Sequence, residues 1–151
     1  MPLTPDTDYV LCEKSTRVTP AGVTVGFVVG LPDCFVWLPS RAISGAGRTH
    51  VRTTYQLADG PPLDAVRAML ADPAATPDQV RATLRELASG TEAGLVVDTA
   101  ELAALRVKTG WFSRGLYYKR PGDRGWSGFP LSGGAAIAQA FARFYADQLR
   151  E

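Results

Sequence analysis

The chain has one histidine, two cysteines and three lysines in 151 residues, and its charges nearly cancel at a formal +1. Each shortage closes off a class of function. Two cysteines and one histidine cannot complete a four-ligand zinc site, so no metal is expected. In a reducing compartment Cys12 and Cys34, on separate expected strands, read as small apolar core residues, although the sequence leaves a bond between them open. A net charge this small argues against a general nucleic-acid or membrane-surface role. The most apolar run, VTVGFVVGL at 23–31, is about half the length that a membrane helix needs and stops at Pro32. The opening MPLTPDTDYV has no cationic stretch followed by an apolar one, so a cytoplasmic location is expected. There is no Gly-x-Ser-x-Gly elbow, no P-loop lysine, and the Gly45-Ala46-Gly47 pair lacks a third glycine for a dinucleotide fingerprint. No cofactor is expected.

What is present is ordinary globular material, 46% hydrophobic and 21% charged. A single domain over 1–151 is expected, and one of this size buries roughly 70% of the surface its unfolded chain exposes. Arginine outnumbers lysine 13 to 3, a usage that a GC-rich genome also produces. Residues 1–8, with two prolines and two aspartates, read as a flexible arm. YVLCEKSTR at 9–17, VTVGFVVG at 23–30 and CFVWLP at 34–39 read as three strands of an antiparallel meander, separated by turns at 19–22 and 31–33. Gly26 marks a bulge or a close backbone approach, and CFVWLP, apolar throughout, is expected to be central. Between them and the next helices, 44–49 reads as a loop and His50 to Leu57 as a further strand, from the alternation of Val51, Thr53, Tyr55 and Leu57.

Residues 61–89 change to helical grammar. Leu63, Val66, Met69 and Leu70 form one stripe. Thr76-Pro77-Asp78-Gln79 is a capping box with proline at the first helical position, Val80, Leu84 and Leu87 follow on one face, and Gly90 is the stop. An αα-hairpin this small cannot bury its own core and is expected to pack on the sheet. From Gly94 onward, further antiparallel strands lead into a C-terminal helix beginning at Ser132 as N-cap. Trp111, Phe112, Leu116, Tyr117, Trp126, Phe129 and Leu131 are residue types that fill a half-buried pleated surface. Along the helix Ile137, Phe141, Phe144, Tyr145 and Leu149 share a face, with Gln139, Arg143, Asp147 and Arg150 turned away. The expected class is therefore α+β: an antiparallel sheet or partly open barrel of about six or seven strands, an inserted αα-hairpin over 61–89, and a C-terminal amphipathic helix packed on the sheet.

Chemistry is sparse. Between Arg106 and Arg124 stand Arg106, Lys108, Arg114, Lys119, Arg120 and Arg124 against one acid, Asp123. With Trp111, Tyr117, Tyr118 and Trp126 interleaved, they form a candidate surface for phosphate, an acidic peptide or a nucleic-acid backbone. The same pattern also describes a solvated hairpin whose cations guard an edge, and Trp111 and Trp126 fit a dimer face or a core equally. His50, the only imidazole, has no nucleophile signature beside it. Asp98 and Glu101 suit a turn better than a catalytic pair. Gly133-Gly134 supplies backbone freedom ahead of the last helix.

The segment from Ala100 to Leu149 resembles the closing half of bacterial pleckstrin-homology-like domains. The likeness is carried by Glu101, Leu102, Leu105, Val107, Gly110, Trp111, Phe112, Gly115 and Leu116, followed by a third strand and a helix that plugs one end of a barrel. The insertion at 61–89 departs from the simple form. What the resemblance implies is a scaffold that binds lipids, peptides or proteins and seldom catalyses. No lipid-binding residues carry over, because the first turn, TPAG at 19–22, holds no cation.

The leading expectation is a non-enzymatic binding or adaptor module that recognises a protein partner or an anionic ligand through Arg106, Lys108, Arg114, Tyr118, Lys119, Arg120 and Arg124. One alternative is an intracellular inhibitor or immunity protein against a toxin. The other is a small enzyme acting on a phosphorylated substrate through His50, with Arg48, Arg52 and a distant carboxylate.

Overall fold

A computed structural model of the chain describes residues 3–19, 22–42, 62–91 and 93–151. The expected loop at 44–49 and strand at 50–57, His50 included, lie outside the described residues. The class is α+β, with seven antiparallel strands in two sheets and three helices among the described residues. The first sheet has the order β1 (Val10–Thr19), β2 (Gly22–Leu31), β3 (Cys34–Ala42), β4 (Leu95–Asp98), and the second β5 (Ala104–Thr109), β6 (Arg114–Lys119), β7 (Ser127–Pro130). The strands do not close into a barrel. Between β3 and β4 stand helices α1 (Pro62–Ala71) and α2 (Pro77–Ser89), and the last helix, α3, is Ala135–Phe144.

Both faces of the first sheet are buried, which is why β2 and β3 read as continuous apolar runs. Phe27, Val29, Leu31, Cys34, Val36 and Leu38 share a cluster with Val66 and Leu70 of α1 and Val80, Leu84 and Leu87 of α2. The alternate residues Cys12, Val28, Phe35, Trp37 and Val97 share another with Leu105, Leu116, Tyr118 and Phe129 of the second sheet and with Ala138, Phe141 and Tyr145. Cys12 and Cys34 are both free and buried. They belong to different clusters, on opposite faces of one sheet, so they cannot bond to each other.

Two bulges shape this sheet. On β1, Glu13 and Lys14 together oppose Phe27, and the kink brings Lys14 to Ser132, whose backbone N–H donates to the Lys14 carbonyl at 3.1 Å. The buried Ser15 hydroxyl donates to the Pro130 carbonyl at 2.7 Å, a second tie between the sheets. On β3, Ser40 is the extra residue between Pro39 and Arg41, and its hydroxyl donates to the Val25 carbonyl at 3.3 Å. Pro39 is tolerated because it sits at this bulge, beyond the stretch that β4 pairs. At Gly26 an added Cβ would come within 2.6 Å of the Trp37 ring, so the glycine supplies a close approach as well as a change of register.

The stretch from 94 to 109 is two strands separated by a 3-10 turn at Thr99–Glu101. Three sequence expectations need correcting. Residues 3–8 form a hydrogen-bonded turn, with the Thr4 N–H donating to Asp8 Oδ2 at 2.7 Å, and Leu3 is buried in the first cluster instead of trailing in an arm. The last helix begins after Gly134, with no side-chain cap from Ser132, and stops at Phe144. The chain past it runs through a 3-10 turn and then pairs Arg150 with Leu105, so Leu149 leaves the helical stripe. Arg150 is exposed, as its place off the apolar stripe implies, and its guanidinium donates to the carbonyls of Thr99 at 3.0 Å and Leu102 at 2.6 Å.

Candidate functional site

The β5–β6 register sets Arg106 opposite Tyr117, and the β6–β7 register sets Tyr117 opposite Gly128. Side chains alternate along each strand, so the second sheet divides cleanly in two. Leu105, Leu116, Tyr118 and Phe129 enter the core. Arg106, Lys108, Tyr117 and Lys119 stand on the outer face with Trp126, which directly precedes β7.

On that face aromatic rings and cations interlock. The Arg106 guanidinium carbon lies 4.4 Å from the Trp126 ring centroid, and Lys119 Nζ lies 5.0 Å from it. Lys108 Nζ lies 5.1 Å from the centroid of Tyr117. The Tyr117 ring covers two glycines, Gly115 two residues earlier on β6 and Gly128 opposite it on β7: a Cβ at either would come within 2.6 Å of its carbons. The two glycines are therefore what lets a bulky ring lie flat on an exposed sheet. Arg106 Nη2 also meets Glu151 Oε1 at 2.6 Å, while Arg106 Nε is buried without a hydrogen-bond partner.

The other candidates fall elsewhere. Tyr118 is only 5% exposed and packs edge-on against Phe35, with ring centroids 5.6 Å apart. Burial pushes its hydroxyl above the ordinary tyrosine range, partly offset by Arg120 and Arg17. Arg120 lies over this inner ring at 5.5 Å and starts the β6–β7 turn. In that turn Pro121 and Gly122, the latter at φ +91, hold the two central positions, and the Asp123 carboxylate accepts from the Arg120 N–H at 2.8 Å. Arg124 is exposed in the same connection. Arg114, on the core-facing parity of β6, is half-buried with an unpartnered Nε. The sequence cluster of six cations is thus three on one face, two on the opposite parity and one in a turn. The parity of Leu116 is the signal that separates Tyr117 from Tyr118.

Trp111 and Phe112 overturn an expectation. They do not fill a surface: they cap the β5–β6 connection at 83% and 96% exposure. Asp98 is bound to Arg85 of α2 and Glu101 is exposed, so these two acids do not act as a pair. A shallow open hollow of about 350 Å³ is lined by Arg85, Ala88, Ser89, Gly94, Leu95 and Val96. Its one charged group is already committed to Asp98, so no set of free polar groups converges there. Among the described residues no group of three His, Cys, Asp or Glu side chains is placed to hold a metal ion, and no helix is long and apolar enough to cross a membrane. His50, with Arg48 and Arg52, lies outside the described residues. Compared with protein-family models, with curated proteins and with solved structures, the chain finds no match.

Proposed function

We propose that the chain is a non-enzymatic binding module whose outer β5–β7 face takes an acidic segment of a partner protein. The observation that carries the reading is the placement of Arg106, Lys108 and Lys119 over the rings of Tyr117 and Trp126. A cation resting on a ring is oriented and partly stripped of water before any partner arrives, so less freedom is lost when a carboxylate pairs with it. Arg106 offers a planar fork suited to bidentate carboxylate recognition, and Lys108 and Lys119 act as point charges on either side. Flat aromatic ground between them accepts the apolar part of a peptide.

As scaffold, we propose the pleckstrin-homology-like arrangement that the sequence resembles, with the helices at 62–89 as an insertion between its third and fourth strands. The division into a four-strand and a three-strand sheet followed by one helix supports this.

The test is a titration followed by amide and indole NMR, using a polyglutamate peptide as probe. Shifts are expected at the Trp126 indole N–H and at the Gly115 and Gly128 amides, weakening as salt is raised. The double reversal Arg106→Glu with Lys119→Glu leaves the fold intact and removes the shifts. No response at the outer face, or an undiminished response in the reversed protein, would sink the reading.

A further inference from the structure

The outer face leaves the end of the same hairpin unexplained. Trp111 and Phe112 are the two most exposed large apolar side chains among the described residues. Their rings stack on each other, with centroids 5.6 Å apart and planes 25° apart. Nothing in the fold requires them there: the strands on either side are already paired from Thr109 to Arg114. Two aromatic side chains bring on the order of 150–250 Å² of surface each, and here nearly all of it faces water.

The immediate surroundings decide what would cover these rings. Lys108, Thr109, Gly110 and Ser113 around them are all exposed, so the rings stand at an apex with no apolar rim. A protein interface of ordinary size needs about 800 Å² from each partner, with a buried centre sealed by its surroundings. The apex of a two-stranded hairpin cannot supply that. A lipid interface makes no such demand, since it takes an aromatic ring at headgroup depth with cations beside it. From Leu102 to Gly122 the chain has no acidic residue and five cations, of which Lys108 and Arg114 flank the tip. The near-zero charge of the whole chain does not cancel this local field, because screening in physiological salt limits it to about 8 Å.

We propose that the β5–β6 tip inserts Trp111 and Phe112 into the interface of an anionic lipid membrane, with Lys108 and Arg114 meeting headgroup phosphates. This surface shares only Lys108 with the outer-face site, and it rests on the exposed Trp111 and Phe112 rings, which that site does not use. Insertion lays the rings at the acyl boundary and leaves the core of the protein unchanged, so binding depends jointly on apolar area and on anionic lipid.

The experiment is co-sedimentation of the full chain with phosphatidylcholine vesicles, plain or doped with phosphatidylserine. The protein is expected to sediment with the doped vesicles only. Lipid brominated on its acyl chains should quench tryptophan emission in the wild type and not in Trp111→Ser. The double variant Trp111→Ser with Phe112→Ser, exposed at both positions and so expected to melt like the wild type, should lose at least about tenfold in partitioning. It should bind the polyglutamate probe as before, which separates this proposal from the outer-face reading. Failure of the wild type to sediment with doped vesicles at low salt would overturn the proposal. So would equal sedimentation of the double variant, or sedimentation without bromine quenching. A dimer in size-exclusion chromatography that the double variant loses, with no vesicle binding, would assign the tip to self-association instead.

Discussion

The ring of Tyr145 occupies the space that a side chain on Gly30 would fill. A Cβ built on Gly30 would lie 2.7 Å from Tyr145 Oη and 3.3 Å from ring carbons. The same hydroxyl lies 2.9 Å from the carbonyl oxygens of both Leu31 and Cys34, so one proton serves two acceptors at the β2–β3 turn. Gln148 Nε2 adds a bond to the Pro32 carbonyl at 2.8 Å. The end of α3 is thereby fastened to a turn more than a hundred residues earlier in the chain.

Gly30→Ala is expected to destabilise the protein by about 1–3 kcal/mol through overpacking. Tyr145→Phe should lose about 1–3 kcal/mol, because it leaves buried carbonyls without their donor. The double variant should lose less than the sum, since removing Oη relieves the nearest contact with the new methyl group. Urea unfolding of the four proteins checks this, and strict additivity would show that the two positions do not touch.

Burial of Cys34 makes stability depend on alkaline pH. Desolvation, with Asp33 nearby, pushes its thiol from an ordinary 9.0 up to about 11. Below pH 9 the folded and unfolded chains both keep the proton, and the contribution is fully present. Between 9 and 11 only the unfolded chain releases it, so stability falls as pH rises, by about 3 kcal/mol across the window. The thiol of Cys12 and the hydroxyls of Tyr9, Tyr118 and Tyr145 are raised by burial as well and act in the same direction. Cys34→Ala is expected to be less stable at neutrality yet to show a shallower decline of urea midpoint above pH 9. An unchanged slope would remove Cys34 as the source.

How far the sequence foretold this molecule differs from place to place, for physical reasons. The α2 cap was legible because a capping box is local chemistry confined to four residues. The buried strands were legible because two covered faces leave no polar positions in CFVWLP. Trp111 and Phe112 were misread because aromatic composition suggests a core wherever it occurs. The glycine before them and the serine after them mark a turn, and that context outweighed residue type. Splitting the cations by face needed a register, which Leu116 as a core position would have supplied. The pairing of Arg150 with Leu105, and the match of Gly30 to Tyr145, have no local signature at all, since each depends on where distant segments meet.

Thr76 offers a simple local test of how much α2 steadies the sheet beneath it. Its hydroxyl accepts from the Gln79 N–H at 3.3 Å, and the Gln79 side chain accepts from the Thr76 N–H at 3.2 Å. Val80, Leu84 and Leu87 of this helix are buried in the cluster that covers β2 and β3. Thr76→Ala should lose about 1 kcal/mol, and Thr76→Ser much less. If α2 unfolds with the sheet, the loss appears in global urea unfolding. If it appears only as faster hydrogen exchange within α2, the helix opens by itself.

The ion pair between Arg106 and Glu151 bears directly on the proposed acidic-peptide site. Glu151 meets Arg106 on the outer face, and its side chain is 73% exposed. An exposed pair of this kind contributes only about 0.2–1 kcal/mol. That is enough to compete with an incoming carboxylate and too little to hold the fold. Glu151→Gln should therefore leave the melting temperature nearly unchanged while tightening polyglutamate binding by roughly 1.5- to 5-fold. The gain should shrink as salt is raised, because the competing contact is screened along with the binding. Calorimetric titration at two salt concentrations reads both effects. Weaker peptide binding in the variant would mean that Glu151 orients Arg106 for the peptide instead of competing with it.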